Sequence, residues 1–75
     1  MGKINLGQAF DLFKVQEKLL NLEPSAFGDA LRLAVQQHKT RAAIKMIRDQ
    51  VALGNQAEVE MTIGASTLEL INRIS

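Results

Sequence analysis

His38, Arg41, Lys45 and Arg48 recur at steps of three and four, so on a helix they fall along one side. Side chains of this type in this pattern do one kind of chemistry well: they hold anions. The anion could be phosphate on a nucleic-acid backbone or carboxylates on a protein partner. The surrounding run sharpens the pattern. With Arg32 and Lys39 the segment holds five of the chain's nine cations, and no Asp or Glu occurs between Asp29 and Asp49. The plainer explanation is a solvated helix face, or a set of partners for Glu58, Glu60 and Glu69. It is preferred because the chain has no Trp or Tyr to stack bases, and its three Phe lie in the first 27 positions.

Other chemistry finds less to build on. There is no cysteine, hence no disulfide and no thiolate metal site, and His38 is the single histidine. Neither a nucleophile nor a carboxylate stands at helical spacing from it to support general-base catalysis. Glu58 and Glu60 would point about 160° apart on a helix and could not share a substrate. "LGNQ" and "IGAS" each carry one glycine, far from a phosphate-cradling loop. The expectation is a non-enzyme with no metal and no cofactor.

Composition narrows the class further. A chain of 75 residues is one small domain, and at this size only about 60 to 65% of the unfolded surface is buried. A net charge of +1 argues against a polyanionic partner spread over the whole surface. No apolar run reaches membrane-spanning length, and the N-terminus lacks the pattern of a cleaved signal. A cytoplasmic protein, or a component of a larger assembly, is expected.

The elements that must position these residues read as three helical segments, giving an all-α fold in one domain over 1–75. The first covers about 6–22, from an Asn5 cap. Leu6, Ala9, Phe10, Phe13 and Leu20 lie on one side of it, and Leu12, Val15, Leu19 and Leu22 on an adjoining side. The second covers about 25–53, from a start at Pro24 with Glu23 or Ser25 as cap, to a glycine stop at Gly54. Lacking Gly or Pro between Asp29 and Leu53, it is expected to run straight through, with a break near 39–40 as the alternative. The third covers about 56–74, from an Asn55 cap. "EVEMTI" also alternates as a short strand at 58–63 would, and Ser66 to Glu69 forms a second capping box; a helix throughout is preferred.

One feature of the second segment is unusual. Phe27, Leu31 and Ala34 make its apolar side, and the same side continues as His38, Arg41, Lys45 and Arg48, while Ile44, Ile47 and Val51 move elsewhere. Every segment carries apolar residues on more than one side, in a chain that is 47% hydrophobic. A helix facing one core needs a stripe of only about 100° or a little more. The surplus points to a hairpin or small bundle completed by self-association, as a homo-oligomer or filament protomer, or by another protein, as in a bacterial or phage adaptor. Phe10, Leu12, Leu19, Ile44, Ile47, Val51, Leu68 and Ile71 are the expected contacts, with the basic row meeting an acidic partner. The alternative is a nucleic-acid-binding protein that reads with a basic helix at 41–48.

Overall fold

A computed structural model describes residues 6–74, and all of its regular structure is helical: α1 (Leu6–Leu20), α2 (Ala26–Gln36), α3 (Thr40–Ala52), α4 (Gln56–Ile63) and α5 (Ala65–Asn72). The all-α class holds, but there are five helices rather than three, and 58–63 is helix rather than strand. The Asn5 cap lies outside the described residues.

The α1–α2 turn shows why α2 begins where it does. Ser25 is the N-cap, its hydroxyl accepting the Gly28 N–H at 2.9 Å. Pro24 precedes the cap rather than opening the first turn. Gly28 is required by close approach: a Cβ there would stand 2.6 Å from the Ser25 hydroxyl and 3.1 Å from the Glu23 carbonyl. Arg32 ties the turn down by donating to the Leu22 carbonyl and pairing with Asp29 at 2.7 Å.

The expected long helix over 25–53 is two helices. α2 ends at Gln36, His38 takes φ +62°, and the chain restarts at Thr40. The His38 N–H donates to the Val35 carbonyl (2.9 Å) and the Lys39 N–H to the Ala34 carbonyl (2.8 Å), a Schellman stop. α3 ends in the same way, with Gly54 at φ +93° and the Gly54 and Asn55 N–H groups donating to Val51 and Gln50. Lys39, not Thr40, occupies the N-cap of α3, and it makes no side-chain cap bond.

The third segment also divides. Gly64, at φ 90° and ψ 144°, ends α4 and begins α5, so the box expected at Ser66 is not the start. Asn55 does precede α4, yet its side chain donates to Gln50 (2.9 Å) instead of capping. Helical spacing overrides the alternation of "EVEMTI": Val59 and Ile63 are buried together while Met61 is 88% exposed. A strand would have put all three on one face.

Each helix packs on its sequence neighbour, and α1 packs on α5, so the five form a closed ring with α2 also touching α4. Every helix contributes to the core: Val15 and Leu19, Leu31 and Val35, Ile44 and Ile47, Val59 and Ile63, and Leu68 with Ile71.

Candidate interaction surface

α1 is held on three sides. Val15 and Leu19, four residues apart, are fully buried and face inward. On one flank the Asp11 carboxylate pairs with Arg73, just beyond α5, at 3.0 Å. On the other, the Gln16 side-chain oxygen accepts from the Thr40 hydroxyl at the start of α3, at 3.2 Å. At 3.6 residues per turn those two flanks stand about 140° apart, bracketing the buried face. The remaining arc carries Phe10 (64% exposed), Phe13 (66%) and Leu20 (39%), with exposed Glu17 among them. The two rings alone leave about 250 Å² of apolar surface in water, given the 150 to 250 Å² of an aromatic side chain. That is a little below the roughly 300 to 600 Å² of the largest patch on an ordinary monomer, before Leu20 is added.

Of the eight residues expected to make contacts between molecules, only Phe10 lies on the outside. Leu19, Ile44, Ile47, Leu68 and Ile71 are buried in the chain's own core, and Leu12 and Val51 pack half-buried against it. The physical reason is a pair of helix stops within the second and third segments, where the sequence favours continuous helices. Breaking the segments at 37–39 and at Gly64 lets most of both apolar sides turn toward one centre, with Leu33, Leu53 and Met61 left exposed. α1, which is unbroken, keeps its second side. The sequence clue separating its two sides is Glu17, which falls within the Phe10–Phe13–Leu20 side; an unpaired carboxylate resists burial.

The basic row divides by role. His38 and Arg41 are exposed. Lys45 pairs with Asp49 on its own helix at 2.9 Å, and both are largely in solvent, where such a pair contributes little. Arg48 donates to the Ile71 carbonyl at 3.0 Å and to the Ile74 carbonyl, joining α3 to the end of α5. The Ile71 carbonyl also accepts the Ile74 N–H at 3.0 Å, so the guanidinium is a further donor there, and it gives the Ile74 carbonyl a donor as well. Glu60 takes its hydrogen bond from Gln56 at 3.0 Å.

Glu58 instead lines a cleft of about 200 Å³ with Phe27, Gln50, Asn55, Val59 and Thr62. Its polar groups largely serve one another: Asn55 donates to Gln50, and Thr62 donates to the Glu58 carbonyl at 3.0 Å. Among the described residues no group of three or more His, Asp or Glu could hold a metal ion, and no helix is long and apolar enough to cross a membrane. No family model, curated protein or solved structure matches the chain.

Proposed function

With no relative to lend an activity, we propose that the protein is a small non-enzymatic assembly subunit that works by protein–protein contact through the outward face of α1. The observation that carries this reading is the unpartnered stripe of Phe10, Phe13 and Leu20 on a helix already anchored on its other sides. Aromatic side chains dominate the energetics of protein interfaces, and leaving two of them in water has no intramolecular purpose.

The test is mass in solution against concentration, by sedimentation or light scattering. The wild-type chain is expected to gain mass as concentration rises. A Phe10→Asp/Phe13→Asp variant should stay monomeric at the same concentrations with unchanged helical circular dichroism, because both positions are exposed. A wild-type chain that is monomeric throughout overturns the reading.

The stop at His38 supports a second reading, nucleic-acid binding. It frees α3 to present Lys39, Arg41 and Lys45 from a helix–turn–helix arrangement. This reading expects affinity for duplex DNA that falls steeply with salt and is lost in Arg41→Ala/Lys45→Ala. Binding that is absent at low salt rejects it. Arg48 is a poor probe here, since it braces α5.

A further inference from the structure

Resting on the assembly reading, we infer that the partner for α1 is a second copy of the chain, laid antiparallel across a two-fold axis near residue 15. The argument is charge complementarity within the stripe. Glu17 is the acidic residue inside the apolar arc and Lys14 stands on its flank, both exposed. Among the described residues neither has an ion-pair partner. A two-fold axis perpendicular to both helices places residue i of one copy opposite residue 30 − i of the other. Phe10 then lies across from Leu20 and Phe13 across from Glu17, so the two Phe13 positions are offset by about 6 Å along the helix direction, given 1.5 Å per residue.

The same operation keeps each flank facing its own counterpart. Lys14 therefore comes to within about 1.5 Å in height of the partner's Glu17, and the contact occurs twice. A parallel pair would turn Lys14 toward the opposite flank and leave both charges alone. The arrangement is isologous, so it closes: the assembly is a dimer and not a filament. The stripe is smaller than the roughly 800 Å² per partner of a standard interface, so the dimer dissociates readily on dilution.

The experiment is a charge swap on the full chain, followed by sedimentation at low salt with circular dichroism as the folding control. Lys14→Glu alone and Glu17→Lys alone each replace two attractions with two repulsions and should weaken dimerisation about tenfold. Lys14→Glu/Glu17→Lys should restore the wild-type dissociation constant, with mass reaching a plateau at twice the monomer. If the double variant is as weak as the singles, or mass climbs past the dimer, the antiparallel pair is wrong while the assembly reading stands. Association that the Phe10→Asp/Phe13→Asp substitutions abolish but no charge change alters has the same meaning. A wild-type chain that never associates sinks both.

Discussion

Replacing Ile47 by Ala is expected to lower the melting temperature of the monomer by roughly 10 to 40 °C. Ile47 is fully buried on the inner face of α3. Removing its outer carbons loses transfer free energy and leaves a cavity, costing about 2 to 5 kcal/mol. A domain of this size has roughly 4 to 11 kcal/mol in total, at 0.05 to 0.15 kcal/mol per residue. Each kilocalorie moves the transition of a 60–100-residue domain by about 4 to 8 °C. Thermal circular dichroism at a dilution where association is negligible separates the two roles this residue could have. A contact between copies would leave the dilute melting point alone and weaken only association. Because Ile47 sits in the chain's own core, the dilute monomer should suffer instead. An unchanged melting point would return Ile47 to the surface role that its spacing suggests.

Gly64→Ala should also destabilise, and here the sign carries the information. In one continuous helix over 56–74, Ala in place of Gly would add about 1 kcal/mol of stability. At φ 90° and ψ 144° the backbone lies where an L side chain is strained, at about 1 to 3 kcal/mol. The nearest atom a Cβ would meet is the Thr67 hydroxyl, 4.0 Å away, so crowding adds nothing and the penalty belongs to the backbone alone. Urea denaturation should show a lower midpoint with an unchanged slope. A higher midpoint would mean that α4 and α5 are one helix.

Much of the helical content was legible in the residues, and the stops of α2 and α3 show where legibility ended. α2 and α3 close with the same pair of backbone hydrogen bonds. One stop was readable because glycine stands at its left-handed position, Gly54. The other was legible only as an alternative break near 39–40, because its left-handed position holds His38, a residue that adopts φ +62° at a cost of roughly 1 to 2 kcal/mol. The surrounding contacts, not local propensity, hold it there: Thr40 to Gln16 on one side and Arg48 to the end of α5 on the other. The abrupt swap from Phe27, Leu31 and Ala34 to the basic row was the visible trace of that stop. Capping was legible at Ser25 and placed the α4 start at Asn55, although that side chain binds Gln50 instead; the box at Ser66 sits two residues past the N-cap of α5 at Gly64. The outward face of α1 was half legible: both apolar sides could be seen, and Glu17 distinguishes them.

The closed ring has a consequence for how the chain reaches it. Four of the five contacts around the ring join helices adjacent in sequence, and only α1 against α5 must close across most of the chain. Helices of 8 to 15 residues are marginal alone in water, so each depends on its neighbour. A topology of local pairs with one long closure folds fast, on the microsecond-to-millisecond scale of low contact order. The entropy of that closure grows only with the logarithm of the loop, so it slows the final step without stalling it. The Asp11–Arg73 pair lies on that seam, 62 positions apart in sequence, and is expected to form with that closure.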